Sequence, residues 1–386
     1  MNKQLVSNSD HWYLDGAKTP MATHYFVSTN LDAMRVNAYV EPMDSKQYFF
    51  DMDPKDYKSW CKEHHLPTFT LSQVHEWVTK KNIIDIEQMT NISKKNQQEL
   101  REKLIINPFV SMNALPASDG SATKYIFELS PHVYIEAVAI QEKGYETLCI
   151  SSQAGCPVDC KFCLTGVSGL KKNLTVSEIV AQLAIILSKG HHITHVVFMG
   201  MGEPLLNLKS VLPALDWLQS ESAFNLSKRH ITVSTSGYLA GIQQLIKEGI
   251  HLNLAFSVGA ANPAIRETIM PIEKRNPIME VSQALSQYTK QHNRKLTLEY
   301  TLLKGVNDSL DCANQLANLA QFLNAKVNLI NLNPHPKIPF DPISQSALMA
   351  FKDALLKHKI RTTVRYSKGQ DVVAACGQLG ESNLTH

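Results

Sequence analysis

The chain has 386 residues, of which 44% are hydrophobic and 19% are charged. This composition excludes an intrinsically disordered, collagen-like or low-complexity protein, and the length suits one large catalytic domain with a smaller accessory domain. Because 38 Lys and Arg residues stand against 35 Asp and Glu residues, the net charge is only +3, so any nucleic-acid surface must be local.

The first part of the chain is predicted to be an extension followed by a small helical domain. Residues 1–47 show no sustained hydrophobic period. Between residues 48 and 105, apolar residues recur at the three- and four-residue spacing of amphipathic helices, and Ser93 is placed to cap the last of them. We therefore expect a helical accessory domain at 48–105.

A change of period follows this helical region. After a turn at 118–120, side chains alternate with a period of two at 124–129 and 133–138, which predicts two strands. We interpret residues 106–145 as a β-hairpin linker region.

The remainder of the chain, residues 146–386, alternates β-branched runs with amphipathic helical patterns. The predicted strands lie at 148–152, 195–199, 231–235, 252–257, 296–301, 327–332 and 362–366. The predicted helices lie at 176–188, 239–248, 277–289, 309–323 and 344–357. Alternating units of this kind indicate a parallel sheet, either barrel-like or doubly wound. Six or seven units fall short of a complete barrel, so we predict an α/β fold with a partial (β/α) barrel.

The seven cysteines indicate the compartment of the protein. Their odd number and low density do not fit a disulfide scaffold, and the polar residues 1–16 lack the apolar core of a secretory signal. The chain has no apolar run long enough to span a membrane. We expect a cytoplasmic protein without membrane attachment, in which the isolated Cys61 and Cys312 are core residues.

Three cysteines form a cluster after the first predicted barrel strand. Cys156, Cys160 and Cys163 place three thiols within eight residues, and active sites of parallel α/β folds lie at the carboxyl ends of strands. Three thiolates can bind three irons of a 4Fe-4S cluster and leave the fourth iron open to a cofactor. The alternative is a zinc site, which would need Cys149 or a histidine as its fourth ligand.

The spacing C-x3-C-x2-C, with Phe162 before the last cysteine, resembles the radical S-adenosylmethionine (SAM) superfamily. Five further stretches resemble the RlmN/Cfr family of RNA adenosine methyltransferases within it. They are CISSQAGC at 149–156, MGMGEP at 199–204, STSG at 234–237, GVND at 305–308 and AACGQL at 374–379. The resemblance runs from about residue 50 to residue 379. It implies a partial barrel of the radical SAM type, and an accessory RNA-binding role for the helical domain.

The resemblance also implies a mechanism that uses two SAM molecules per turnover. The first SAM would methylate Cys376, and the second would yield a 5′-deoxyadenosyl radical that takes a hydrogen from the S-methyl group. The resulting methylene radical would add to an adenine ring carbon. Glu136 would then remove a proton from this carbon, and Cys149 would release the product through a transient disulfide with Cys376.

The same resemblance implies which residues bind SAM. They are Gly202, Glu203, Ser234, Ser257, Val258, Gly259 and Asn333. The chain departs from the family at 257–259, where Ser-Val-Gly replaces Ser-Leu-His. Any contact made by the side chain of that histidine is therefore lost here, whereas backbone contacts can be kept.

The expected partners are RNA and an electron donor. We expect 23S rRNA as the substrate, with tRNA as a further candidate, a flavodoxin or ferredoxin as the donor, and a monomeric enzyme. Basic pairs at 80–81, 94–95, 171–172 and 228–229 are candidates for phosphate contacts. The target adenosine would have to leave its stack to reach the barrel.

Two carbons of adenine are open as the target. Residues 163–175 and the short tail after Leu379 resemble the Cfr type, which methylates C8, whereas residues 199–207 and the helical domain resemble the RlmN type, which methylates C2. We favour C2. Two other classes stay open, a radical SAM enzyme that acts on a small molecule or peptide and a non-enzymatic zinc-binding RNA module. The first of these would need neither Cys149 nor Cys376.

Overall fold

The computed structural model describes residues 46–380, which lie in one compact unit beginning at Ser45. Nearly all of the predicted extension at 1–47, together with the last six residues, lies outside the described part of the chain. Within 46–380, no helix has both the length and the apolar character needed to cross a bilayer.

The amino-terminal region is helical, as its apolar spacing predicts. Its elements are β1 (Gln47–Tyr48), α1 (Tyr57–Glu63), α2 (Thr70–Lys80), α3 (Lys94–Lys103) and β2 (Leu104–Ile105). Ser93 caps α3 by accepting a hydrogen bond from the Asn96 amide at 3.3 Å. The apolar side of α2 is buried, with Leu71, Val74 and Val78 fully enclosed.

Three antiparallel strands follow and belong to the main sheet. They are β3 (Ser111–Pro116), β4 (Ala122–Ser130) and β5 (Val133–Glu142). The predicted hairpin at 124–129 and 133–138 corresponds to β4 and β5, and β3 adds an outer strand that the sequence pattern did not indicate.

Residues 145–380 contain the parallel part of the structure. Its strands are β6 (Tyr145–Cys149), β7 (Gln153–Ala154), β8 (Lys172–Asn173), β9 (Ile193–Phe198), β10 (Ile231–Thr235), β11 (Asn253–Ser257), β12 (Thr297–Leu302), β13 (Lys326–Asn331) and β14 (Thr362–Arg365), of which β7 and β8 form a separate antiparallel pair. Its helices are α4 (Leu164–Val167), α5 (Val176–Ser188), α6 (Leu208–Gln219), α7 (Leu239–Lys247), α8 (Pro263–Ile269), α9 (Ile278–His292), α10 (Leu310–Phe322) and α11 (Gln345–Lys357). The first barrel strand begins three residues earlier than predicted, whereas β10 and α5 have the predicted bounds.

The order of the strands decides between the two α/β architectures. The ten-stranded sheet runs β14-β13-β12-β11-β10-β9-β6-β5-β4-β3, and all neighbours from β6 to β14 are parallel. A doubly wound sheet would reverse its strand order at a switch point, and this sheet does not. Because β3 and β14 do not pair with each other, the sheet stays open, and the predicted partial barrel is confirmed.

The antiparallel strands position one predicted catalytic residue next to another. β5 pairs with β6 so that Val138 lies opposite Cys149, and Glu136 lies two residues before Val138 on β5. The sheet therefore brings Glu136 and Cys149 onto adjacent strands.

Arg266, at the centre of α8, is a fully buried side chain that ties together the loops following β10 and β11. Its guanidinium donates to the carbonyl oxygens of Val258 at 2.9 Å and Ser236 at 2.6 Å, and it pairs with the buried carboxylate of Glu273. A buried cation is tolerated when its donors are satisfied in this way. Arg266 thus fixes the carboxyl ends of two neighbouring parallel strands.

We expect Arg266→Met to lower the free energy of unfolding by about 3–5 kcal/mol, because it leaves the Glu273 carboxylate buried without its cation. Urea denaturation followed by circular dichroism measures this loss. Lys274→Met removes an exposed pair with Glu267, at 3.5 Å, and should cost less than about 1 kcal/mol. Equal stabilities for the two variants would show that Arg266 does not hold these loops.

Candidate active site

A cavity opens at the carboxyl ends of the parallel strands, where the loops that follow β6, β9, β10 and β11 meet. This is the edge at which parallel α/β folds place their chemistry. The predicted site residues in its wall are Cys156, Cys160, Cys163, Gly202, Glu203, Ser234, Ser257, Gly259 and Cys376. Residues separated by up to 220 positions in the sequence therefore share one cavity.

The loop that carries the three cysteines is held by close backbone contacts. The Cys156 amide donates to the Gly169 oxygen at 3.1 Å, the Lys161 amide to the Ile269 oxygen at 2.9 Å, and the Cys163 amide to the Cys160 oxygen at 3.1 Å. Gly155 has a φ of +76°, and a Cβ there would lie 1.7 Å from the Gly169 oxygen. Only glycine fits at this position, immediately before the first cysteine.

The donor set of this loop fits an iron–sulfur cluster. Burial, with smaller contributions from the charges of Glu203 and Cys163, raises the pKa of Cys156 to about 12, and burial together with the neighbouring cysteines raises that of Cys160 well above its ordinary value. These two buried sulfurs need positive charge to ionise, which iron supplies. Among residues 46–380, no three His, Cys, Asp or Glu side chains form a group around a single metal ion. A cubane differs in that it binds each cysteine through a separate iron.

Glu203 is a buried carboxylate in the cavity wall. One oxygen accepts hydrogen bonds from the Ser236 amide and hydroxyl, both at 2.7 Å, and the other accepts from the Leu205 amide at 3.2 Å. Burial raises the pKa of Glu203, and the hydrogen bonds from Ser236 oppose this shift. Gly202 precedes it with a φ of +102°, and a Cβ there would lie 2.6 Å from Gln153. The arrangement presents an acceptor suited to an ammonium group.

Of the three SAM-binding residues predicted at 257–259, two line the cavity and one is buried in the core. Ser257 and Gly259 line the cavity, and a Cβ on Gly259 would meet the Met270 sulfur at 2.3 Å. Val258 is fully buried, its amide donates to the Glu299 oxygen at 3.0 Å, and its oxygen accepts from Arg266. The structure therefore does not bring Val258 to the cavity, because its side chain packs inside and both its backbone groups are engaged.

Asn333 holds the segment that carries Cys376 and does not line the cavity. Its side-chain amide donates to the Cys376 oxygen at 3.0 Å, and its own oxygen accepts from Gln370 at 2.9 Å. The Leu164 amide donates to the Gly377 oxygen at 2.8 Å, which joins the same segment to the cysteine loop. Cys376 is therefore fixed on both sides.

Cys149 lies behind the cavity, at the end of β6, within electrostatic range of Cys376. Burial and, to a smaller extent, negative charge on Cys376 raise the pKa of Cys149 to about 12, and Arg365 opposes this shift. Both cysteines are free thiols. They form one electrostatic group with Arg365, whose pKa is raised chiefly by the Cys376 thiolate.

Arg365 is a site residue that the sequence analysis missed. It lines the cavity at the carboxyl end of β14, as Glu299 does on β12, and burial raises the pKa of Glu299. The sequence offered one signal for both residues, because each is a charged residue inside a predicted strand, at 296–301 and at 362–366. Other strands of the sheet also place site residues at this edge, so a charge on either strand could have been assigned to the cavity.

Glu136 lies in a separate small cavity. Its carboxylate accepts a hydrogen bond from the Gly380 amide at 3.2 Å and lies 3.8 Å from the Lys124 ammonium. The remaining lining residues are Tyr134, Gly155, Ser168, Lys171 and Met201. Gly155 and Met201 are chain neighbours of Cys156 and Gly202 in the main cavity, so the two cavities adjoin.

Two family models match the chain. The radical SAM superfamily matches residues 150–314, and the ribosomal RNA large subunit methyltransferase N-terminal domain matches residues 30–106. The probable dual-specificity RNA methyltransferase RlmN of Aquifex aeolicus is 40% identical over 336 residues, which cover 86% of this chain and 96% of that protein. The chain belongs to the RlmN family of radical SAM RNA methyltransferases.

Two other comparisons agree with this membership. The dual-specificity RNA methyltransferase RlmN of Dichelobacter nodosus is 40% identical over 349 residues, covering 87% of this chain and 95% of that protein. The crystal structure of a radical SAM methyltransferase from Sphaerobacter thermophilus is similar with a TM-score of 0.82 and 35% identity, covering 86% of this chain and 98% of that one. The predicted radical SAM fold is thereby confirmed.

The basic pairs proposed for RNA contact differ in their surroundings. The Lys80 ammonium donates to the Glu221 oxygen at 2.6 Å and the Ala223 oxygen at 2.8 Å, so it joins α2 to the loop after α6. Lys172 pairs with Glu178 at 2.8 Å. The pairs at 94–95 and 228–229 are exposed and stay candidates for the RNA surface of this family member.

We expect Gly155→Ala to cost most of the bound iron and acid-labile sulfide, because the added methyl group collides with the Gly169 backbone and displaces the cysteine loop. Iron and sulfide analysis of anaerobically reconstituted protein measures this. Gly169→Ala is the matched control, since it also has a positive φ but open space, and should cost about 1 kcal/mol without loss of iron. Full iron content in Gly155→Ala would contradict the role assigned to this contact.

Proposed function

We propose that this enzyme methylates C2 of an adenosine in 23S rRNA, and also in tRNA, with S-methylated Cys376 as the carrier of the methyl group. The observation that carries this proposal is the arrangement of Cys376, Cys149 and Arg365 beside the cavity lined by the three-cysteine loop. A radical SAM enzyme for a small molecule or peptide would have no need of two further thiols there. The relatives' names, dual-specificity RNA methyltransferases, support RNA as the substrate.

The cofactors of the proposal are a 4Fe-4S cluster and two SAM molecules per turnover. Cys156, Cys160 and Cys163 would hold the cluster, which with SAM supplies the radical chemistry that an unreactive ring carbon requires. The acceptors at Glu203 and the hydroxyl of Ser257 suit the polar groups of SAM. A flavodoxin or ferredoxin as electron donor, a monomeric enzyme and a cytoplasmic location belong to the same proposal.

Cys376 acts first, as a nucleophile toward a methyl group. The neighbouring guanidinium of Arg365 stabilises its thiolate, which is the reactive form of a cysteine. The hydrogen bonds from Asn333 and Leu164 to backbone oxygens at 376 and 377 hold the sulfur in the cavity. A fixed sulfur also keeps its methyl group within reach of the reacting atoms.

Cys149 acts last, and its environment keeps it inactive until then. With a pKa of about 12, the Cys149 thiol stays protonated at neutral pH. Once the Cys376 sulfur is alkylated, it no longer carries the negative charge that raises the pKa of Cys149, whereas Arg365 still lowers it. Cys149 then becomes more acidic at the stage at which it must attack Cys376. The resulting disulfide is reset by an external thiol reductant.

Glu136 accepts the proton from the substituted ring carbon in this proposal. Its carboxylate is fully buried and adjoins the main cavity through Gly155 and Met201. One of its oxygens accepts a hydrogen bond from the Gly380 amide.

We expect the anaerobically reconstituted enzyme, given SAM, a reductant and unmodified 23S rRNA, to produce 2-methyladenosine. Nucleoside mass spectrometry against 2- and 8-methyladenosine standards identifies the product. Detection of 8-methyladenosine would show that the enzyme methylates C8, and would contradict the proposed C2 specificity. SAM cleavage without methylation of rRNA or tRNA would favour a small-molecule or peptide substrate.

We expect Cys376→Ala to abolish methyl transfer while SAM cleavage by the reduced protein continues, because the cluster and the methyl carrier use different cysteines. Release of 5′-deoxyadenosine and methylation of rRNA, measured in the same samples, separate the two reactions. Cys312→Ala, which changes a buried cysteine in α10, should retain both. Methylated rRNA from Cys376→Ala would rule out the carrier.

A further inference from the structure

The segment that carries Cys376, residues 366–380, is fastened to the antiparallel strands at several points. The Lys368 ammonium pairs with Glu142 at 2.9 Å, and the Ser118 amide donates to the Asp371 carboxylate at 2.7 Å. Gly369 packs so closely on β4 that a Cβ there would lie 3.2 Å from the Ala122 side chain. The antiparallel extension therefore serves as the support of the Cys376 segment.

Lys124 lies close both to the proposed base, Glu136, and to the segment that carries Cys376. Its side chain is buried, and its ammonium lies 3.3 Å from the Val373 oxygen and 3.8 Å from a Glu136 carboxylate oxygen. On the paired strands, Lys124 of β4 lies opposite Val138, so Glu136 is its diagonal neighbour on the same face. One buried cation thus joins the proposed base to the segment that carries Cys376.

The contact with Val373 falls on a strained part of the backbone. Val373 has a φ of +53°, which is costly for a β-branched residue, and lies three positions before Cys376. Its amide donates to the Gln370 oxygen at 3.1 Å, and its oxygen faces the Lys124 ammonium. A charged hydrogen bond of this kind stabilises a conformation that the residue would otherwise avoid.

We propose that Lys124 is a positioning residue of the methyl-transfer reaction, which keeps Glu136 ionised and fixes the backbone that presents Cys376. The proposal rests on the role proposed above for Glu136. In the step concerned, the proton leaves the substituted ring carbon for the Glu136 carboxylate and the C–H electron pair stays with the ring, while the unpaired electron left by the radical addition passes to a one-electron acceptor. Lys124 takes no part in the bond changes of this step. Tyr134 and Lys171 are the other titratable groups in the cavity of Glu136.

Replacing Lys124 by methionine removes a positive charge 3.8 Å from a fully buried carboxylate and therefore favours its protonated form. A protonated carboxyl cannot accept the proton. Since general-base catalysis contributes about 10²–10⁴-fold, we expect Lys124→Met to slow release of the RNA from Cys376 by at least about tenfold. The covalent RNA–protein adduct should then accumulate, which is visible as a slow band of labelled rRNA in denaturing gels.

Three further variants and one control variant complete the test. Glu136→Gln should accumulate the same adduct, Lys124→Arg should restore much of the release, and Lys124→Met/Glu136→Gln should be no slower than Glu136→Gln because Lys124 acts through Glu136. The double variant removes both charges of the buried pair and so leaves neither of them unpaired. It can therefore be measured even if Lys124→Met alone does not fold. Lys247→Met, an exposed lysine at the end of α7, should release RNA normally.

The outcomes separate this inference from the proposed function. Normal release by Glu136→Gln would overturn the role of Glu136 and with it that of Lys124. Adduct with Glu136→Gln but not with Lys124→Met would overturn the role of Lys124 alone. A double variant much slower than Glu136→Gln would show that Lys124 acts by another route, and this too would contradict the proposal.

Discussion

The position of Cys376 depends on hydrogen bonds between residues more than 200 positions apart. The Thr165 hydroxyl donates to the Leu379 oxygen, the Lys124 ammonium to the Val373 oxygen and the Ser118 amide to Asp371. None of these bonds belongs to a helix or a ladder, and the segment from 366 to 380 contains no regular secondary structure. A loop without a ladder of its own is held only as firmly as its anchors, so the position of Cys376 depends on the antiparallel strands and the cysteine loop.

The parallel sheet explains why so many site residues come together. The parallel strands of the ten-stranded sheet end at the same edge, and side chains from β10 to β14 line the cavity there. The loops at this edge can pack closely against neighbouring segments only where a residue has no side chain. Gly155 and Gly259 are two such positions, because their positive φ angles and short contacts exclude alanine. The departure from the family at 258–259 agrees with this packing, because Gly259 accommodates Met270 in the cavity wall.

Electrostatics separates the roles of the two additional thiols. Cys149 is buried and faces the Cys376 thiolate, and both effects oppose its ionisation, whereas Arg365 favours ionisation of either sulfur. A negative charge on Cys376 therefore opposes ionisation of Cys149. Glu136 and Lys124 form a second buried pair in an adjoining cavity, so the groups proposed for proton transfer and for methyl transfer lie in separate cavities.

The sequence by itself determined the fold class, the helical region, the cysteine cluster and the family, because periodicity and short motifs are local properties of the chain. The tertiary structure decided which of the implied residues face the cavity. Val258 packs in the core, Asn333 holds a backbone and Lys80 bonds to the loop after α6, although each lies in a pattern that predicted a contact with ligand or RNA. It also brought in Arg365 and Lys124, whose partners lie on distant segments. Such pairings arise when a β-sheet places distant segments side by side, and they leave no periodic signal near either residue.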